Sequence, residues 1–291
     1  MNRLPTLFVS HGAPTFAIEP GRAGEQLTTL GRTLEKPRVV VIVSPHWRTR
    51  SVEVTASSML ETIHDFGGFP SALYQIKYDA SGDPVFAKRT VDVLSSEGID
   101  AKLNLRRGLD HGAWVPLLHL YPAADVPVVQ VSMPAQLNSE SAYRFGQALA
   151  PLAQEGALII GSGSLTHNLY EFRSDAAQEA PYAREFTTWV RAAVANNQVD
   201  RLRLALELAP HAARAHPTDE HFLPLLIAVG ASRDTTKVTV LDGGIRHGVL
   251  AMESYVFGRE LAESSKLSRS WPKLEPSPHA LRRGSSLELE V

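Results

Sequence analysis

Eleven histidines and no cysteine stand in a chain of 291 residues. Without thiolates, a transition metal here must be held by imidazoles and carboxylates. Disulfides, thiolate zinc sites, iron–sulfur clusters and cysteine nucleophiles are excluded together. Placement separates the informative histidines from the rest. His11 follows a strand-like stretch and opens His11-Gly12-Ala13-Pro14. His46 lies two residues beyond a continuous β-branched run, in Ser44-Pro45-His46-Trp47. His167 lies six residues past another apolar run, after Gly161-Ser162-Gly163. In open α/β sheets, ligands bind beyond the carboxyl ends of the strands. Three imidazoles at that rim could therefore meet in space, and the small residues around them let backbone approach a ligand closely. Taken singly, each is a turn residue that satisfies backbone groups.

Four further histidines have partial context. His111 sits in Gly108-Leu109-Asp110-His111-Gly112-Ala113-Trp114, a loop opening a helical run. His64 begins the Gly-rich aromatic loop His64-Asp65-Phe66-Gly67-Gly68-Phe69-Pro70, suited to a lid or pocket wall. In it Phe66 and Phe69 offer apolar surface, and Trp47 is counted with them as pocket wall. His216 and His221 flank the start of a helical pattern, where residue 221 could point into a cleft beside Glu220. Competing signatures are missing. There is no Walker-type phosphate loop, no third glycine for a dinucleotide turn, no Gly-x-Ser-x-Gly elbow and no His-Glu-x-x-His.

The elements that must position these residues alternate. Strand patterns cover residues 4–10, 38–44, 127–133, 157–161 and 237–241, and 51–55 reads as an edge or hairpin strand. The run Val39-Val40-Val41-Ile42-Val43 suits a strand buried on both faces. Helical spacing covers 23–34, 84–96, 139–154, 181–196, 199–208 and 218–230, the last with Thr218 as N-cap. This alternation predicts an α/β fold. We expect one domain over 1–262, with a central, largely parallel or mixed sheet flanked by helices and the site at the strand C-terminal ends. Residues 263–291, rich in Ser, Pro and Arg and containing His279, read as a flexible or peripheral tail.

Hydrophobic and charged fractions of 44% and 21% fit an ordinary globular protein and exclude a wholly disordered or fibrous one. A net charge of −2 argues against a general nucleic-acid binder. The longest apolar stretch, 222–229, is far below the roughly 18 residues of a membrane span. With no signal-peptide pattern at the start, a cytoplasmic protein is expected, as a monomer or small homo-oligomer.

Six short motifs occur in order: Val9 to Pro14, Ser44 to Trp47, Ile63 to Pro70, Leu109 to Trp114, Thr166-His167-Asn168 and Pro217 to Pro224. Together they resemble the class III extradiol ring-cleavage dioxygenases, in the branch of bacterial and plant 4,5-DOPA dioxygenases, over about residues 4–258. The resemblance implies a mononuclear non-haem site that opens a catechol ring with dioxygen, in aromatic compound catabolism. His11, His46 and His221 would hold the metal, Fe(2+) expected and Zn(2+) possible. Glu220 is the alternative third ligand. His167 would be the acid/base, His111 would position substrate or oxygen, and His64, Phe66, Phe69 and Trp47 would line the substrate pocket. The partners implied are a catecholic small molecule and dioxygen. A zinc-dependent hydrolase and a noncatalytic binding protein on the same scaffold are the other readings, since fold does not fix function.

This reading predicts that His11→Ala or His46→Ala strips a bound divalent ion, as measured by metal analysis of the purified variants. Full metal content in both would refute the ligand assignment. Loss in Glu220→Ala but not in His221→Ala would exchange the third ligand.

Overall fold

A computed structural model describes residues 4–173 and 178–261. The expectation for 263–291 lies outside the described residues. The strands are β1 (Thr6–Ser10), β2 (Val39–Thr49), β3 (Val52–Thr55), β4 (Ala101–Asn104), β5 (Val128–Pro134), β6 (Ala157–Gly163), β7 (Val238–Leu241), β8 (Ile245–Arg246), β9 (Leu250–Ala251) and β10 (Ser254–Phe257). The helices are α1 (Gly21–Thr33), α2 (Pro84–Ser96), α3 (His111–Leu120), α4 (Ser139–Leu149), α5 (Pro181–Ala195), α6 (Val199–Arg203), α7 (Ala205–Leu208), α8 (Ala212–Ala215) and α9 (Leu223–Ala231).

Eight strands form one mixed sheet in the order β4-β3-β5-β2-β6-β1-β10-β7. The central ladder β5-β2-β6-β1 is parallel, whereas β3 meets β5, and β10 meets β1 and β7, antiparallel. β8 and β9 form a separate two-stranded ribbon. Alternation along β2 divides the core. Val39, Val41 and Val43 enter one buried cluster with Phe145, Phe186 and Ile227, and Val40 and Ile42 enter the other with Leu27, Trp114 and Leu117. A strand covered on both faces has no polar side, which is why its sequence is a continuous β-branched run. Among the described residues, no helix is long and apolar enough to cross a membrane.

Several boundaries differ from expectation for identifiable reasons. β3 is not an edge strand, because β4 pairs on its outer side. The helix expected over 139–154 stops at Leu149 and continues as a 3-10 turn over Ala150–Glu155. Pro151 lies in that turn, where it can give no amide to an α ladder. The pattern over 199–208 breaks at Leu204 into α6 and α7. α9 begins at Leu223, not near Thr218, with Pro224 in its first turn. The Thr218 hydroxyl donates to Glu220 instead of capping a helix. β4 and β10, each four residues long, left no sequence pattern distinct enough to recognise.

β2 also runs past Ser44. Its register against β5 jumps from Ser44↔Ser132 to Arg48↔Met133, so Pro45-His46-Trp47 bulges out of the ladder. Proline has no amide to donate, and a bulge is where a strand tolerates that. His46 therefore sits inside the strand, on its bulge, not beyond its end.

Glycine allows the closest approach in this architecture. A Cβ on Gly163 would lie 2.3 Å from the His221 carbonyl oxygen and 3.1 Å from Pro224 Cγ. The segment leading into α9 can lie on β6 only because that Cβ is missing, and Ser164 N–H donates to the His221 carbonyl at 2.9 Å. We expect Gly163→Ala to cost about 1–3 kcal/mol by overpacking, read as a lower Tm, and to reduce metal binding by moving His221. An unchanged Tm and unchanged metal binding would contradict this packing.

Candidate metal centre

Five imidazoles gather at the C-terminal end of the parallel ladder. His11 directly follows β1, and its amide donates to the Gly163 carbonyl at 2.9 Å. His46 projects from the β2 bulge, His111 opens α3, His167 follows β6, and His221 precedes α9. His11 and His221 are buried, and His46 is half-buried. His46 Nε2 lies 3.1 Å from His11 Nε2 and 3.4 Å from His221 Nε2.

The other nitrogens of two rings are committed. Ser162 Oγ donates to the Gly112 carbonyl, so it accepts from His11 Nδ1–H at 3.0 Å. Glu220 Oε1 accepts from His221 Nδ1–H at 3.1 Å. Both Nε2 atoms are then unprotonated and face the common space with bare lone pairs. A metal about 2.1 Å from each nitrogen requires nitrogen separations of about 3.0 Å at right angles and about 3.4 Å at tetrahedral angles. The observed spacings fall in that range. The donor set fits a divalent ion, and the Ser162 and Glu220 contacts are of the kind that orient metal-binding imidazoles. Glu220, the alternative third ligand, stands behind His221 rather than beside His11 and His46.

Electrostatics point the same way. Burial, then the neighbouring imidazoles His46 and His221, holds His11 well below the ordinary histidine pKa. His221 is lowered likewise, by burial and then by His167 and His46. Burial and His111 bring His46 down to about 3, against the opposing pull of Asp65. Burial brings His167 down to about 4. Neutral imidazoles are the metal-binding form.

Above this cluster lies a cavity of about 330 Å³, with His46, His111, His167 and His221 on one side and Phe66, Gly67 and Phe69 in its wall. His167 stacks on His221 with ring centroids 3.5 Å apart, and its amide donates to the Ala215 carbonyl at 2.8 Å. His111 packs 4.0 Å from His46, centroid to centroid. Its backbone N–H donates to Asp65 Oδ1 at 2.8 Å.

Two residues expected in the pocket are not in the cavity wall. Trp47 is buried with the Arg107 guanidinium 5.3 Å over its ring. His46 lines the cavity, whereas Trp47, the next residue on the bulge, does not. His64 Nε2–H donates to the Ile76 carbonyl at 3.0 Å, and its ring packs edge-on against Phe66 and Trp114. It props the wall from behind. Four contributors were missed by sequence reasoning. Asp65 lies 3.0 Å from His111 Nδ1 and 3.7 Å from His46 Nδ1. Ser162 orients His11, and Leu169 and Phe172 extend the wall beyond His167. Asp65 stood inside a quoted motif, between His64 and Phe66, and Ser162 inside the quoted Gly161-Ser162-Gly163 turn, so both were in view in the sequence.

The family described as the catalytic LigB subunit of aromatic ring-opening dioxygenase matches residues 5–258. A 4,5-DOPA dioxygenase extradiol of Beta vulgaris is 39% identical over 87% of this chain and 96% of its own length. The protein of the same name from Escherichia coli K12 is 37% identical over 88% of this chain and 95% of its own length. A dioxygenase of Hapsidospora irregularis is 31% identical over 82% of this chain and 81% of its own. The crystal structure of an uncharacterized protein from Escherichia coli K12 superposes with a TM-score of 0.71 at 30% identity, covering 88% of this chain and all of that one.

The lowered pKa values set a pH dependence for the metal-free protein. Unfolded histidines titrate near 6.5, whereas His46 titrates at about 3 and His167 and His216 at about 4 when folded. Above pH 6.5 neither state binds these protons. As pH falls from 6.5 toward 4, the unfolded state takes protons that the folded state refuses, so stability drops. Each histidine contributes up to about 1.4 kcal/mol per pH unit in that window. Urea midpoints should therefore fall steadily between pH 6.5 and 4.5, and a flat profile would contradict the buried, neutral cluster.

Proposed function

The chain belongs to the family of the catalytic LigB subunit of aromatic ring-opening dioxygenases, and from that premise we propose that it opens a catechol ring beside its two hydroxyls with dioxygen, using iron(II) held by His11, His46 and His221. The observation that carries this reading is the convergence of three imidazole Nε2 atoms, 3.1 and 3.4 Å apart, beneath an aromatic-walled cavity. Ring cleavage of this kind places both oxygen atoms of dioxygen in the product, so atoms and electrons balance without an external reductant. When bound, iron(II) would supply the redox and Lewis-acid chemistry of the reaction. Zinc suits the same nitrogens but has no redox chemistry of its own, and the similarity to extradiol dioxygenases does not favour a hydrolase or a noncatalytic binder. We infer a cytoplasmic setting from the same reading.

The chain's own residues then have separate tasks. Phe66 and Phe69 meet the flat, apolar part of the ring, as the walls of small-molecule sites generally do. His111 reaches the cavity from the side of His46 and positions the substrate or dioxygen. His167 stacks on His221 and borders the same space. Its neutral imidazole takes the second hydroxyl proton as the ring reacts and returns it later. Asp65 holds the first amide of α3 and keeps His111 in place.

Replacing His167 by glutamine keeps a ring-sized polar side chain without a titrating nitrogen. We expect the iron content and catechol binding of His167→Gln to persist while kcat and kcat/KM fall together by about 10²–10⁴-fold, followed as the yellow ring-opened product. Near-normal turnover in a folded, iron-loaded variant would move the proton to another group, His111 first.

A further inference from the structure

The β2 bulge takes Pro45-His46-Trp47 out of the ladder with β5, so the peptide groups of His46 need partners elsewhere. The His46 N–H donates to Ser44 Oγ at 3.3 Å, and the His46 carbonyl accepts from Arg107 Nη2 at 3.4 Å. Both partners meet at one carboxylate. Arg107 Nη2 also lies 3.4 Å from Asp110 Oδ2. A hydroxyl that accepts one bond still has its proton to give. Burial and the Asp65 charge raise the Asp110 carboxyl, and hydrogen bonds from the Gln130 amide and the Ser44 hydroxyl oppose them by favouring its charged form. Gln130 lies in β5 opposite Ile42 of β2, so the carboxylate is tied to the central ladder. Asp110 is fully buried and stands at the N-cap of α3, yet it makes no capping bond. An Asp at that position usually accepts from the first turn of its own helix. Here Asp65 takes the His111 N–H at 2.8 Å, and the Asp110 carboxylate serves the bulge.

Resting on the three-imidazole reading above, we propose that Asp110 is a positioning residue for the metal ligand His46, acting through Ser44 on one side of the His46 peptide and Arg107 on the other. A displaced peptide carries its side chain with it. Losing the carboxylate therefore frees the bulge and lets His46 Nε2 drift from the 3.1 and 3.4 Å spacings that suit a single ion. The Arg107 guanidinium also lies 5.3 Å over the Trp47 ring, so one cation steadies two consecutive residues of the bulge. Outer partners that orient a ligand typically change metal affinity by about 10–100-fold.

Zinc(II) and cobalt(II) are the probes, so the test does not depend on turnover. Zinc affinity is measured on the full chain by competition with a chelating dye, and the cobalt(II) protein is followed by its visible absorption. We expect Asp110→Asn to weaken zinc binding by about 10–100-fold and to shift the cobalt(II) bands, because the ligand set is kept while its geometry changes. Ser44→Ala and Arg107→Met each release one side of the His46 peptide and should weaken zinc by about tenfold. Arg107→Lys, which keeps the charge, should recover part of that loss. Thr90→Val removes a buried hydroxyl bond internal to α2 and should lower Tm while leaving zinc affinity and the bands unchanged. Wild-type zinc affinity and cobalt(II) bands in Asp110→Asn, or an equal loss of affinity in Thr90→Val, would overturn the positioning role. If Asp110→Asn does not fold, unchanged zinc binding in both Ser44→Ala and Arg107→Met overturns it. His46→Ala separates this proposal from the reading beneath it. If His46→Ala loses zinc while Asp110→Asn keeps it, the three-imidazole centre stands and the positioning role falls. If His46→Ala keeps wild-type affinity, the centre itself is refuted and the proposal falls with it.

Discussion

Unprotonated imidazole nitrogens facing one another at hydrogen-bond distance repel unless a proton or a metal ion lies between them. His11 and His221 each turn an unprotonated Nε2 toward His46 Nε2, because each donates its Nδ1–H to an oxygen that can only accept it there. Protonation would relieve the repulsion, but burial opposes it and drives these pKa values down. The fold thus presents converging lone pairs whose demand for a positive partner a divalent ion can answer. Much of the surrounding structure keeps that demand in place.

Three neighbouring strands, β2, β6 and β1, supply the frame. Because they run parallel, their C-terminal ends lie on the same side, so His11 and His167, which follow β1 and β6, meet His46 on the β2 bulge. The β2 bulge turns His46 inward, and Gly163 admits the segment that carries His221. Gly112 does the same for α3, since a Cβ there would fall 2.3 Å from Ser44 Oγ and 2.9 Å from His46 Cδ2. Small residues at these points are therefore geometric requirements of the site and would be poorly explained as generic turn formers.

Polar groups buried around the cluster are largely paired, which keeps the frame stiff. Ser10 Oγ donates to the Glu253 carbonyl at 2.6 Å and accepts from Leu165 N–H at 3.2 Å, tying the end of β1 to the loop that carries His167. Thr166 Oγ1 accepts from the Ala251 amide at 2.8 Å and donates to the Val249 carbonyl at 2.6 Å, fixing that loop on β9. His216 Nε2–H donates to the Leu165 carbonyl at 2.9 Å from the other side. On the far flank, burial raises the carboxyl of Asp110, which Gln130 contacts directly. Glu253 pairs with Arg191 and Tyr255. Removing one partner from such a pair leaves an uncompensated buried group, so these contacts resist the small shifts that would spread the imidazoles.

The amino-acid sequence alone determined the α/β class, because a β-branched run such as Val39 to Val43 survives only where both faces are covered. It also marked His11, His46, His111, His167 and His221, since each stands beside an apolar strand-like run or a helical pattern in the sequence. Short elements were beyond its reach. β4 and β10 contain four residues each and owe their conformation to partners distant in sequence. Tertiary structure decided the directions of side chains. Trp47 and His64 belong to the right segments yet lie outside the cavity wall, one packed under the Arg107 guanidinium and the other with its ring nitrogen engaged by the Ile76 carbonyl. Asp65 and Ser162 acquire their tasks only when segments 46 and 151 residues apart are folded together, Asp65 with His111 and Ser162 with His11. Sequence order records which residues are present, but a hydrogen bond or a metal-sized gap is set by distance, and distance exists only after packing.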